Sequence, residues 1–164
     1  MANTPIIRFF YETAGFRFSN RNQLKIFLTR LFKKEATPLQ SLNYIFCSDD
    51  YLLGINKSYL DHDYYTDIIS FNLSNDGPVA GEIYISIDRV RDNANNEGEY
   101  LNRELHRVIL HGALHLGGYG DKTPKEIREM RSKEDQYLKA YFKWMFHVEH
   151  ESLPWIMMFH VEHQ

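Results

Sequence analysis

Two histidines and one aspartate that lie close together in the sequence are well suited to metal chemistry. His111 and His115 are four residues apart in the segment HGALHLGGYGD. On a helix, residues at this spacing differ by about 40° in direction and lie one turn apart on one face. Two imidazoles placed in this way can bind one metal ion, as in the HExxH zinc enzymes. Such pairs also occur as ordinary core or surface residues, so the pair alone leaves both interpretations open.

Asp121 is the candidate for a third ligand. A tetrahedral catalytic zinc site has three protein ligands and leaves the fourth position to water. Gly117, Gly118 and Gly120 allow the chain to turn back after the helix, and the next residue is Asp121. A carboxylate ligand suits zinc, and also manganese or iron. The alternatives are an ordinary loop carboxylate or a cap for the helix that follows Thr123.

Two nearby residues restrict the chemistry further. His106 is five residues before His111, about 140° away around the helix, so it is predicted to be packed or exposed rather than metal-binding. HExxH peptidases use the glutamate after the first histidine as the general base, and the residue in this position is Gly112. Peptide hydrolysis by that mechanism is therefore disfavoured. A metal would need a base from elsewhere, or would have to lower the pKa of its bound water to ~7.

The composition is that of one globular domain. The chain has 164 residues, of which 43% are hydrophobic and 25% are charged. Nineteen basic and twenty-two acidic side chains leave a net charge of −3, so nucleic acid would have to be bound locally rather than by overall charge. Cys47 is the single cysteine, which excludes an intrachain disulfide. The pattern contains no secretion signal and no apolar stretch of ~20 residues, which predicts a soluble, cytoplasmic protein with no membrane partner.

Local patterns predict the elements that must position these residues. Strands are predicted over 42–47, 67–73 and 81–87, and a turn signal at 75–78 makes the last two a hairpin. Helices are predicted over 21–35, from Ser48, over 89–97, over Leu101–Leu116 and from Pro124 to about Phe142. The expected caps of four of them are Asn20, Ser48, Asp88 and Thr123. The expected fold class is α+β: a single domain with a small mixed sheet of about four strands, about five helices and the metal site at the end of a central helix.

Three segments resemble the YbeY family of metal-dependent endoribonucleases, which mature ribosomal RNA. HGALHLGGYGD resembles the family signature HGxLHLxGYDH. INKSYLDHDYYTDIISF at 55–71 is similar to the family's second block, and GEIYISIDRVRDNA at 81–94 is similar to its GDI-led strand and following helix. The segments follow the family's order and together indicate membership over about residues 40–140.

The resemblance implies a metal site of His111, His115 and Asp121, in which the aspartate stands where the family has a third histidine. An anionic ligand should lower the charge left on the metal and weaken its effect on bound water. Leu60 stands where the family has an arginine that contacts RNA phosphate. The candidates to replace that cation are Lys57, Arg89 and Arg107, each of which could instead be a solvated surface charge.

Thr66, Asp67 and Ser70 match the family's second block and are expected to line the substrate cleft. The alternative is local: the first two could form a turn, and the serine could satisfy the end of a strand. Phe71 and Ile83 are expected in the core.

By resemblance, the chain is expected to be a single-strand-specific, zinc-dependent endoribonuclease in which His111 and His115 are the catalytic metal ligands. One Zn²⁺ per chain is expected, although another divalent metal would also fit. The expected role is ribosomal RNA processing (16S rRNA 3′ end maturation) and ribosome quality control, with ribosomal RNA and the small ribosomal subunit as partners. The alternatives are a metal-dependent hydrolase of another substrate and a non-catalytic ribosome-assembly factor with a structural metal.

The C-terminal segment contains the hexapeptide MFHVEH twice, at 145–150 and 158–163. A second metal site is disfavoured, because its HxxH spacing suits a helix poorly and Pro154 interrupts the segment. One choice of codons, ATG TTC CAC GTG GAA CAT, equals its own reverse complement, so the repeat is predicted to be selected as DNA. The expected organisation is a metallohydrolase domain over 1–141 and a non-catalytic tail over 142–164, and truncation after Phe142 is expected to leave nuclease activity intact.

Overall fold

A computed structural model describes residues 4–150 and shows a four-stranded sheet packed with five helices. The α+β expectation is confirmed. The elements in chain order are β1 (Ile6–Glu12), α1 (Arg21–Lys34), β2 (Leu39–Cys47), α2 (Asp49–Leu60), β3 (Ile68–Asn72), β4 (Val79–Ser86), α3 (Ile87–Glu97), α4 (Leu101–Leu116) and α5 (Pro124–Glu149).

The sheet is mixed, with the strand order β1-β2-β4-β3. β1 and β4 both run parallel to β2, whereas β3 runs antiparallel to β4. This pairing confirms the hairpin predicted from the turn signal. The edge strand β1 was not predicted. Its burial alternates, with Ile7 buried and Ile6 exposed, but its sequence IIRFFYE does not alternate between apolar and polar residues.

Two of the four residues expected to cap helices do so with their side chains. The hydroxyl oxygens of Ser48 and Thr123 accept hydrogen bonds from backbone N–H groups at the starts of α2 and α5. Asn20 precedes α1 without a capping bond from its side chain. The prediction that Asp88 caps α3 is wrong: Ser86 is the cap, and the helix begins at Ile87. The Asp88 carboxylate instead accepts the backbone N–H of Asp49 at 2.9 Å, because α2 begins beside it.

Helix α5 is longer than its sequence pattern predicted. It continues past Phe142 to Glu149, because the apolar stripe of Leu138 and Tyr141 extends to Met145 in the core. The first copy of the repeated hexapeptide therefore begins on this helix, and the second copy lies outside the described residues. The division of the chain at residue 142 stays a prediction. None of the helices in the described part of the chain has the length and apolar character that crossing a membrane requires.

Helix α4 lies against the sheet at the centre of the core. Gly112 permits this close approach, since a Cβ atom there would lie 2.9 Å from side-chain carbons of Ile68 and Ile83. The hydroxyl of Tyr44 on β2 donates a 2.9 Å hydrogen bond to the backbone carbonyl of Ile109. The sheet therefore determines both the depth and the rotation of α4.

His106 is packed in the core, which is one of the two environments expected for it. Its ring is 3% exposed and lies between Phe18 on one side and Tyr141 and Phe142 of α5 on the other. Nδ1 lies 2.6 Å from the carbonyl oxygen of Asn102. Burial lowers the pKa of this imidazole to about 4, because its charged form would lose hydration.

Candidate metal centre

Helix α4 places His111 and His115 side by side near its C-terminal end. Their ring centroids are 4.8 Å apart and their planes are nearly perpendicular, at 89°. Both side chains are partly exposed, at 22% and 31%. The shared face predicted from the four-residue spacing is therefore confirmed. The two rings on this face are partly accessible to solvent and are not enclosed in the core.

The chain reverses after α4 and brings Asp121 back to the two histidines. Gly118 makes the turn possible because its φ is +103°, a conformation that side chains rarely adopt. The hydroxyl of Tyr119 donates a 2.5 Å hydrogen bond to Glu35, which ties this turn to the end of α1. Asp121 Oδ2 then lies 3.0 Å from His115 Nε2 and 3.5 Å from His111 Nε2.

These three side chains fit a metal ion. Their ligand atoms all lie within 4.8 Å of one another. Zinc–ligand bonds of ~2.0–2.1 Å at tetrahedral angles separate the ligand atoms by about 3.3 Å. The two distances from Asp121 Oδ2 bracket that value. Two imidazole nitrogens and one carboxylate oxygen suit zinc, and also manganese and iron.

Glu134, on α5, is a functional candidate that sequence reasoning missed. His111 Nδ1 donates a 2.8 Å hydrogen bond to its Oε2, which leaves the Nε2 lone pair directed towards Asp121. Burial lowers the pKa of His111, but the hydrogen bond and charge of Glu134 outweigh this effect and raise the pKa above its usual value. The sequence did contain a signal for this residue. Glu134 lies four residues from Met130 and four from Leu138, so it is a carboxylate in an otherwise apolar stripe of α5.

A cleft of about 900 Å³ surrounds the centre and extends along α4. Three of the residues expected to line a substrate cleft do so: Thr66, Asp67 and Ser70. Their contact with substrate stays a prediction. The carboxyl of Asp67 is largely enclosed, and burial raises its pKa despite the opposing charge of His111. The amide of Asn93 is its neighbour, 3.5 Å from Oδ2.

The candidate phosphate-binding cations differ in their positions. Arg107 lines the cleft, where it pairs with Glu134 at 3.3 Å and with Asp135 at 2.8 Å. Lys57 and Arg89 are not among the residues that line the cleft. Lys57 pairs with Asp63 at 3.3 Å, and Arg89 pairs with Asp49 at 2.6 Å. Leu60, in the place of the expected arginine, lines the cleft with an aliphatic side chain.

Acidic side chains outnumber basic ones among the described residues of the cleft. The five acidic residues are Asp67, Glu97, Glu104, Asp121 and Glu134. The three basic residues, with histidines left out, are Arg107, Lys122 and Arg131. Glu104 is buried, one of its oxygens has no hydrogen-bond partner, and burial raises its pKa. A divalent ion at the centre would offset part of this negative charge.

Comparisons with known proteins show which proteins this chain is similar to. A family model described as Endoribonuclease YbeY matches residues 12–142. The chain is 51% identical over 133 residues to the Endoribonuclease YbeY of Cytophaga hutchinsonii, a match that covers 80% of this chain and 93% of the relative. It is 42% identical over 144 residues to that of Flavobacterium johnsoniae, covering 88% and 99%. The solution structure of TM1509 from Thermotoga maritima is similar, with a TM-score of 0.60, 27% identity and coverage of 91% of this chain and 97% of that one.

Proposed function

The chain belongs to the endoribonuclease YbeY family, and we propose that it is a metal-dependent endoribonuclease that cleaves single-stranded RNA. The finer proposal is that it acts in ribosomal RNA processing, at the 3′ end of 16S rRNA, and in ribosome quality control. Its partners would then be ribosomal RNA and the small ribosomal subunit, and its place of action the cytoplasm. The observation that carries the proposal is the convergence of His111, His115 and Asp121 at one side of an open cleft.

The residues of the site have three roles in this proposal: metal binding, positioning of a ligand and contact with a phosphate. His111 and His115 would hold a divalent ion, with zinc as the first candidate, through their Nε2 atoms, and Asp121 would do so through a carboxylate oxygen. Such an ion supplies Lewis-acid polarisation of a phosphoryl oxygen and a lower pKa for bound water. Glu134 holds the His111 ring by its Nδ1–H group, so the ligand nitrogen keeps its direction. Arg107 is the cation on the cleft wall that would face a phosphate, and its pairs with Glu134 and Asp135 leave it only part of its charge to offset charge that develops there.

The open side of the site favours catalysis over a purely structural metal. Structural zinc sites are closed by four protein ligands, whereas catalytic sites have three and keep one open position. Three ligand residues form the cluster in the described part of the chain, and two of them are partly exposed. The rival function, a ribosome-assembly factor with a structural metal, draws its support from the paired state of Arg107 and the anionic third ligand.

A peptidase of the HExxH kind has a steric argument against it. Gly112 faces β3 and β4, so a glutamate in its place would enter the packed interface between α4 and the sheet. A general base next to His111 on α4 therefore has no room.

Metal analysis combined with RNA cleavage tests the proposal. The wild type should contain about one equivalent of metal and should cleave a single-stranded RNA. His115→Ala should lose both the metal and the cleavage. His147→Ala is a matched control, since that histidine does not line the cleft. Unchanged cleavage by His115→Ala would contradict the proposal, and metal without cleavage in the wild type would favour the assembly factor.

The ribosomal part of the proposal needs a separate substrate. Small subunits that carry 16S rRNA with an unprocessed 3′ extension should be cut at the mature end. Cleavage of unrelated single strands without cleavage of this extension would restrict the protein to a general endoribonuclease.

A further inference from the structure

Two rings on the segment after α2 form a stacked pair at the cleft. His62 and Tyr64 both line the cleft that contains the metal centre. Their ring centroids are 5.1 Å apart and their planes differ by 22°. The Tyr64 hydroxyl lies 3.0 Å from His62 Nδ1. Tyr64 is nevertheless 56% exposed, so a large part of its aromatic surface is open to a ligand.

A buried asparagine holds this segment in place. Asn56 is 1% exposed and donates a 2.9 Å hydrogen bond from its side-chain amide to the carbonyl of Tyr64. The backbone carbonyl of Asn56 accepts the backbone N–H of His62 at 3.1 Å. Asn56 therefore fixes the backbone at both rings. Because the rings are already positioned, a ligand that stacks on them would pay little entropy for ordering the segment.

The charges along the cleft as a whole are poorly suited to binding phosphates. Carboxylates outnumber cations along the cleft, and the guanidinium of Arg107 is already paired. Lys57 at the end of α2 is paired with Asp63 of the same segment. A polyanion gains little from such a surface, whereas an aromatic face can accept any nucleobase.

We propose that His62 and Tyr64 form a base-stacking subsite for single-stranded RNA, in which a nucleobase stacks on the open face of Tyr64 and extends the existing pair of rings. This inference rests on the proposed function, since it names how the substrate of the same cleft is held. Affinity for RNA then comes mainly from bases rather than from phosphates. A base on this ring must be unpaired, so the subsite also selects single strands.

Binding of a short 2′-O-methyl RNA oligonucleotide to the full-length protein, with whatever metal it holds after purification, tests the subsite. Fluorescence anisotropy gives the Kd, and a gel after each titration verifies that the oligonucleotide is intact. Tyr64→Leu keeps an apolar side chain but removes the aromatic face, and it should raise the Kd about tenfold. Tyr64→Phe should bind like the wild type. Tyr100→Leu is the matched control, since Tyr100 is 83% exposed and lies outside the cleft.

Two further measurements separate stacking from phosphate binding. An oligonucleotide of the same length with abasic sites should bind at least about tenfold more weakly than the intact one. The dependence of log Kd on log salt should be shallow, with a slope of about 2 or less. Equal binding of the abasic oligonucleotide, or a wild-type Kd for Tyr64→Leu, would overturn the subsite, as would the absence of RNA binding by the wild type.

The outcome is independent of the test of catalysis. Loss of binding in Tyr64→Leu together with a wild type that holds no metal would support the subsite and refute the metal-dependent nuclease. Metal-dependent cleavage by the wild type, together with unchanged RNA binding by Tyr64→Leu, would support the nuclease and refute the stacking subsite.

Discussion

Glu134 connects the candidate metal ligand His111 to the packing behind it. Its carboxylate is 4% exposed, and a buried charge is costly unless it is paired and hydrogen-bonded. His111 and Arg107 supply that pairing, at 2.8 Å and 3.3 Å. The hydrogen bond to Nδ1 fixes the tautomer of His111, because a ring protonated there presents an unprotonated Nε2.

Glu134→Gln should weaken metal binding about 10- to 100-fold, because the neutral amide is a poorer acceptor for the His111 N–H group. Titration of the purified protein against a competing chelator measures this change without reference to nuclease activity. Asp135→Asn is the matched control, because Asp135 also contacts Arg107 but does not contact His111. Equal metal affinity in the two variants would show that Glu134 does not position the ligand.

At the scale of elements, the contact between α4 and the sheet decides where the candidate metal ligands His111 and His115 lie. Gly112 is buried against Ile68 of β3 and Ile83 of β4. A glycine in a helix interior costs up to ~1 kcal/mol relative to alanine in intrinsic propensity. The close packing that it allows offsets this cost, since a larger residue would push α4 away from the strands.

Gly112→Ala should therefore lower the free energy of unfolding by about 1–2 kcal/mol, because strain from the added methyl outweighs the gain in helix propensity. Gly54→Ala is the matched control: this glycine is also in a helix interior, but an added Cβ would meet no atom within 4 Å. That variant should gain about 0.5–1 kcal/mol. Urea unfolding of both proteins gives the comparison, and a gain at both positions would contradict the packing argument.

His106 should make stability depend on pH. Its folded-state pKa is about 4, against an ordinary value of 6.5. The unfolded chain therefore binds a proton that the folded protein does not, and stability is lost as the pH falls from about 6.5 towards about 4. The full loss is about 3 kcal/mol. Tyr141, which faces the ring, remains neutral in this range, since burial raises its pKa to about 12.

His106→Phe should remove this part of the pH dependence, because a phenyl ring fits among the same aromatic side chains and has no proton to bind. Denaturant unfolding at pH 7.5 and pH 5 measures it. The wild type should lose more stability between these two values than the variant does. Parallel losses in the two proteins would assign the acid sensitivity to other groups.

At the scale of the whole molecule, the end of α5 belongs to the core. Met145 is 5% exposed, and the Trp144 ring contacts Phe27 of α1 and Tyr141. The segment from 143 to 149 therefore closes the core on the side of α1. The predicted non-catalytic role of the C-terminal residues can be tested without disturbing this packing if the chain is cut beyond α5.

A chain that ends at His150 should keep both the wild-type stability and the nuclease activity. A chain that ends at Phe142 should lose about 2–5 kcal/mol of stability, because it lacks the buried side chain of Met145. Thermal unfolding and RNA cleavage distinguish the two truncations. Loss of activity in the chain that ends at His150 would show that the residues from 151 onward are needed for function. Unchanged stability in the chain that ends at Phe142 would show that the last turns of α5 do not stabilise the fold.

The sequence by itself determined those features that depend only on residues near one another along the chain. The shared face of His111 and His115, the turn that returns Asp121 and the starts of α2 and α5 all follow from helical spacing, glycine conformation and capping groups. The interactions that favour these features act between residues a few positions apart, so the sequence alone can predict them. The same local logic was wrong at Asp88, where Ser86 was an equally good cap two residues earlier and α2 offered the aspartate another partner.

Only the tertiary structure decided which distant groups meet. Glu134 lies 23 residues from His111 in the sequence, and the two meet only because α4 and α5 pack together. The hydrogen bond from Asn56 to the carbonyl of Tyr64 likewise forms where the fold buries the asparagine side chain. The edge strand β1 exists because β2 offers a parallel partner. The pairing of Arg89 and Arg107 with carboxylates likewise depends on which elements come together. Hydrogen bonds and ion pairs act over a few ångströms in space, whatever the separation along the chain, so local patterns carry no record of them.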